Sequence, residues 1–152
     1  MRNSKHKTGI AERLKPKIKY HLPLIILCLG IFIESSFPSD AYPDIEFELG
    51  DKIIHIAIYF FLFLASYFSF NNQEKYTWIK KNSLFSALLF TSVYGAVDEL
   101  HQLFVFGRSC DFLDWIADFL GGIFGLLLLM AFKKYYKIKN NNSLNTIYDT
   151  NK

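Results

Sequence analysis

Three short segments of this chain carry the residue types that do chemistry, each set in apolar surroundings. They are Asp51-Lys52-x-x-His55-x-x-x-Tyr59, Tyr94-Gly95-x-x-Asp98-Glu99-x-His101-Gln102, and Gly107-Arg108-x-x-Asp111-x-x-Asp114-x-x-x-Asp118. Carboxylates beside an imidazole can exchange protons as general acid and base, which makes His55 and Glu99 the candidate catalytic groups. Lys52 and Arg108 suit an anionic group such as a phosphate, while the Asp98, Glu99 and Gln102 stripe suits hydroxyls, amines or a bridging cation. The six carboxylates Asp51, Asp98, Glu99, Asp111, Asp114 and Asp118 outnumber these two cations, so the surplus implies protonated acids, water, a cation or a cationic ligand.

Other chemistries find little support. The chain contains no Ser-centred nucleophile elbow, no His-Glu-x-x-His pair and no Gly-rich phosphate loop with its Lys. Cys28 falls in an apolar run and Cys110 in a loop, with no Cys-x-x-Cys pair or tight Cys/His spacing between them. No metal or other cofactor is therefore expected. One His among scattered carboxylates is a hard-oxygen environment better suited to a loosely held cation than to tight zinc.

The elements that position these groups are helices. Four apolar stretches are long enough to span roughly 30 Å of hydrocarbon: residues 20–37, 53–70, 84–104 and 115–132. Lipid forces each backbone to satisfy its own hydrogen bonds, and none of the four shows the alternation of a barrel strand. The expected fold is all-α, an integral membrane bundle of four transmembrane helices. Hydrophobic residues make up 51% of the chain and charged ones 20%. The organisation read from this is a basic tail over residues 1–19, a membrane domain over 20–134 and a polar tail over 135–152.

Helical spacing gathers the polar groups. Lys52, His55 and Tyr59 share one side of the second helix, and Tyr94, Asp98 and Gln102 follow i, i+4, i+8 on the third. Glu99 points to one side, near enough to Gln102 to touch it. If the last helix begins near Asp111, then Asp111, Asp114 and Asp118 form one acidic stripe, continued inward by Gly122 and Gly125. Glu34 at the end of the first helix completes the set. Gly121 and Gly125 have the small-xxx-small spacing that lets helices approach closely.

Charge sets the orientation. Seven of the 17 Lys and Arg precede residue 20, three lie in the 71–82 loop, and five (Lys133, Lys134, Lys137, Lys139 and Lys152) close the chain. Only Lys52 and Arg108 fall on the other side, beside Asp40, Asp44, Glu46, Glu48 and Asp51. The positive-inside rule then puts both termini in the cytoplasm and the polar clusters outside. The net charge of +3 does not point to nucleic acid, because the basic residues flank apolar segments and form no binding motif. A cleaved signal peptide ending near Ser39-Asp40-Ala41 is the competing reading of the first span, opposed by Pro38 and the long charged leader. Asn140-Asn141-Asn142 reads as a solvated tail.

Taken together, Asp51-Lys52-x-x-His55-x-x-x-Tyr59, Tyr94-Gly95-x-x-Asp98-Glu99-x-x-Gln102-x-Phe104, Gly107-Arg108 and Asp111-x-x-Asp114-x-x-x-Asp118-x-x-Gly121 carry a family resemblance. From Glu34 to Gly125 the chain resembles the VanZ-like family of bacterial membrane proteins, named for a member linked to teicoplanin resistance. It departs at Phe106, where the family often has Pro, while the Asp118 position admits Asn or Asp. The resemblance implies a multi-pass protein of the bacterial cytoplasmic membrane acting at the cell envelope, and it supplies no catalytic residue.

The function expected is thus a cell-envelope membrane protein, non-enzymatic or of unassigned activity, whose outward-facing pocket binds a lipid-linked or anionic ligand, with a link to glycopeptide (teicoplanin) resistance. Its candidate contacts are Lys52, His55, Tyr59, Tyr94, Asp98, Glu99, Gln102, Arg108, Asp111, Asp114 and Asp118. The rivals are an intramembrane enzyme using His55 or Glu99, with a divalent cation on the Asp111/Asp114/Asp118 stripe, and a purely structural polar network. Proton-coupled transport would need more helices than one copy supplies, hence a homo-oligomer.

Overall fold

The computed structural model describes residues 4–38 and 48–150, with side chains described over 18–38 and 50–141. The acidic residues Asp40, Asp44, Glu46 and Glu48 and the Ser39-Asp40-Ala41 segment lie outside these side chains. Every regular element among the described residues is a helix: α1 (Ser4–Ser35), α2 (Glu48–Asn72), α3 (Thr77–Lys81), α4 (Ser83–Gln102) and α5 (Phe112–Thr150).

Three of these are long and apolar enough to cross a membrane, at Ile18–Ser35, Gly50–Asn72 and Phe112–Asn141. The chain is a multi-pass membrane protein. The fourth expected span, in α4, is interrupted at its carboxy-terminal end by Asp98, Glu99, His101 and Gln102, which lower its apolar character. Its 20 residues still extend about 30 Å at helical rise.

Helix α2 is the centre of the bundle. Tyr59, Leu62, Phe63 and Ser66 are fully enclosed because α1, α4 and α5 all pack against α2. Leu24 and Ile31 of α1 meet Tyr59, Leu62 and Ala65 on one side, and Ala87 of α4 joins Phe63 and Tyr67 on another. The outer faces are apolar and exposed: Ile25, Ile26, Leu29 and Phe32 on α1, Phe85, Leu89, Val93 and Val97 on α4, and Phe124 and Leu127 on α5. In a membrane such faces meet acyl chains.

The expected small-residue contact between helices is present and specific. A Cβ on Gly121 would collide with the backbone of Ile56 and Phe60, and one on Gly125 would enter the Phe63 ring. The two glycines therefore hold α5 against α2 at backbone distance.

Three elements differ from the expectation. Helix α1 begins at Ser4 rather than near residue 20, the loop between the second and third spans contains the one-turn helix α3, and α5 runs on to Thr150 rather than ending near residue 132. Asn140 and Asn141 are thus helical, though exposed as a solvated tail should be.

Candidate functional site

The polar residues of α2, α4 and α5 meet at the end of the bundle formed by the start of α2, the finish of α4 and the start of α5. They lie in two layers, stepped along the helices by the 1.5 Å rise per residue.

The outer layer is an ion-pair network. Lys52 Nζ donates to Asp114 Oδ1 at 2.5 Å and to Asp111 Oδ2 at 3.2 Å, tying α2 to the start of α5. Arg108 Nη2 lies 3.6 Å from Glu34 Oε1 and so reaches α1. Asp111 also caps α5, because its Oδ1 accepts the Leu113 N–H at 2.8 Å. That hydrogen bond first, and Lys52 second, hold the exposed Asp111 carboxyl below its ordinary range.

The loop behind this layer depends on Gly107, whose φ of 74° is a left-handed conformation that other residues rarely adopt. Glu99 Oε2 accepts the Asp111 N–H at 2.9 Å, fastening the returning loop to α4.

The inner layer comes from all three helices. His55 Nδ1 lies 2.8 Å from Asp118 Oδ1, within hydrogen-bond distance, and its ring stacks 6.4 Å from that of Tyr59. Asp118 has no exposed surface and Glu99 is 2% exposed. Asp118 Oδ2, Glu99 Oε1 and the Tyr59 hydroxyl are buried without a hydrogen-bond partner among the described residues. Gly95 makes this layer possible, since a Cβ there would stand 2.7 Å from Asp118 Oδ2 and 3.1 Å from the Tyr59 ring. Two sets of donor atoms approach within 4.8 Å of one another: His55, Glu99 and Asp118, and, nearer the rim, Asp51, His55 and Asp114.

The arrangement of these residues decides the family reading. A profile described as VanZ/LLP1 matches residues 22–133 of the chain. The chain belongs to the VanZ/LLP1 family. The VanZ/LLP1 match takes in all three polar segments and most of the helical bundle, and it is broader than the Glu34–Gly125 stretch that carried the resemblance. No curated protein and no solved structure matches the chain.

Within this VanZ/LLP1 bundle some groups expected together are separated. Tyr94 shares the stripe of Asp98 and Gln102, but its hydroxyl turns to α1 and donates to the Cys28 carbonyl at 2.5 Å. Gln102 Nε2 donates to Asp98 Oδ2 at 3.4 Å, so these two satisfy each other beside α1. Among the ion pairs, Lys52 reaches Asp111 and Asp114, and Arg108 lies beside Glu34. His55 does take a carboxylate, that of Asp118.

Ser35 and His101 extend the polar end toward α1 and were not singled out as site residues. Ser35 is fully buried, its Oγ 3.3 Å from His101 Nδ1, and the His101 ring lies 4.7 Å from that of Phe32. A Ser adjoining Glu34 at the end of an apolar helix was the available signal. Grooves of 300 and 340 Å³ occur at the opposite end of the bundle, around Phe70 and Ile79.

Proposed function

We propose that this protein is a four-span protein of the bacterial cytoplasmic membrane, both termini inside, whose polar end faces outward and binds an anionic or lipid-linked envelope ligand. The observation that carries this reading is the layering itself. Partly exposed Lys52 and Arg108 stand at the rim, above buried oxygens of Asp118, Glu99 and Tyr59 that have no partner among the described residues.

The division of basic residues supports the orientation, and the length of α4 is sufficient for it to return the chain to the outer face. Residues 20–134 would form the membrane domain, with basic and polar tails in the cytoplasm. Family membership supports a link to glycopeptide tolerance, the trait of the member that names the family.

The experiment is phenotypic and quantitative. Arg108→Ala and Glu99→Gln should abolish teicoplanin tolerance, or another envelope trait the gene confers, while membrane abundance stays near wild type. Parallel loss of abundance and trait across Glu99, Arg108 and Asp114 variants would instead identify the cluster as packing.

A second reading is favoured by the His55–Asp118 contact, in which a buried carboxylate orients one ring nitrogen and leaves the other directed toward the rim, 4.0 Å from Asp51 Oδ1. That is the geometry of an oriented general base. On this reading the lipid-linked ligand is a substrate, and turnover by purified protein distinguishes the two.

A further inference from the structure

We propose that His55, Glu99 and Asp118 form a binding site for one divalent transition cation, of the Mn²⁺ or Zn²⁺ class, joining α2, α4 and α5. The inference concerns the site just described and rests on that reading in taking the cluster for a binding site rather than for packing.

Each residue offers a donor atom, and the three atoms lie within 4.8 Å of one another. Donors sharing a cation at about 2.0–2.2 Å stand roughly 3–4 Å apart, so only a small contraction is required. A second, independent observation points to an occupant. Asp118 Oδ2 and Glu99 Oε1 are buried and have no partner among the described residues, on side chains 0% and 2% exposed. Buried carboxylate oxygens are ordinarily hydrogen-bonded, paired or metal-bound.

The competing triad of Asp51, His55 and Asp114 is the weaker candidate, because Asp114 is already held by Lys52 at 2.5 Å and Asp51 is 56% exposed. Among the described residues neither acid of the inner triad contacts a Lys or Arg. One imidazole with two carboxylates is a mixed donor set that suits Mn²⁺ or Zn²⁺ better than Ca²⁺, which takes six to eight oxygens. Gly95 contributes by leaving the space that the Asp118 carboxylate fills. The absence of a clustered metal motif in the sequence is no obstacle, since the three ligands come from three helices.

The test uses the full chain purified in detergent, stripped with chelator and then titrated with Mn²⁺, followed by electron paramagnetic resonance, and separately with Zn²⁺. Wild type should bind about one equivalent of one of these ions and gain thermal stability from it. His55→Ala, Glu99→Gln and Asp118→Asn should each weaken binding by about 100-fold, no less than the loss of a partner that only supports a ligand. His21→Ala, which removes a His at the opposite end of the bundle, should leave binding unchanged.

Should Asp118→Asn fail to fold, the near-isosteric Glu99→Gln carries the test. Absence of binding by wild type to both ions up to about 1 mM, or equal binding by wild type and Glu99→Gln, would overturn the proposal. Neither readout requires the envelope ligand. Cation binding beside an unaltered tolerance in Arg108→Ala would reject the ligand reading alone, and tolerance lost in Arg108→Ala without cation binding would reject the cation alone.

Discussion

The two layers of the polar end share α2, α5 and a supply of carboxylates, yet their charges are compensated differently. In the outer layer Lys52 bridges Asp111 and Asp114, and Arg108 lies beside Glu34, all of them retaining some exposure. In the inner layer Asp118 and Glu99 are enclosed, with the His55 imidazole against Asp118 and no Lys or Arg contact to either acid among the described residues. Near the rim a pair keeps part of its hydration, so opposite charges can settle at modest desolvation cost. A turn or two further in, an enclosed carboxylate is expensive and is retained only where something offsets it. The difference teaches that the outer layer is explicable as structure and the inner layer asks for a role.

The largest effect should come from breaking the seam on which both layers depend. Gly121→Leu sets a side chain against the Ile56 and Phe60 backbone, which cannot yield as a flexible side chain can. The expected cost is about 3 kcal/mol, at the upper end for overpacking, with strong loss of folded protein in membranes. Wild-type abundance in that variant would show that α2 and α5 do not meet there.

The contrast between layers is sharpened by removing one charge from each, measured as thermal stability in chelator. Lys52→Met strands Asp114, whose side chain is 12% exposed, and should cost about 1–3 kcal/mol. Glu99→Gln keeps an acceptor for the Asp111 N–H while removing a buried charge, so it should be neutral or stabilising by about 1 kcal/mol. Equal destabilisation by both would erase the distinction.

The smallest effect concerns Asp111. Its folded-state carboxyl lies below the ordinary value of 3.8, so its stabilising contribution is complete above that value and is lost as pH falls through the folded one. The difference in melting temperature between wild type and Asp111→Asn should therefore be constant above about pH 5 and shrink toward pH 3. A gap that widens in acid would contradict the assigned cap and ion pair.

Much of this was legible in the chain. The apolar runs marked the four long helices, since lipid leaves the backbone few alternatives, but not how far α1 and α5 continue beyond them. The polar end was visible because ionisable residues recur at one level of several helices, and the Gly121/Gly125 spacing marked the seam. What was not legible was the pairing. Tyr94, Asp98 and Gln102 share a stripe by periodicity, yet Tyr94 is directed to Cys28 of α1 and the other two to each other. Periodicity gives a direction around one helix axis and is silent about which neighbour stands there.

By itself, then, the sequence determined an all-helical, multi-pass membrane protein of the VanZ/LLP1 family with carboxylates, a His and two cations at one end. These properties follow from local apolarity, helical repeat and motif spacing, each carried by residues close in the chain. The tertiary structure decided that Lys52 bridges Asp111 and Asp114, that Glu99 fastens the loop before α5, and that Gly95 admits the Asp118 carboxylate beside His55 and Tyr59. Those contacts join residues from 12 to 63 positions apart, so they depend on the rotation and distance at which α2, α4 and α5 pack. Side-chain bulk at the seam sets that packing, and it is the reason two layers made of similar residues end with different partners.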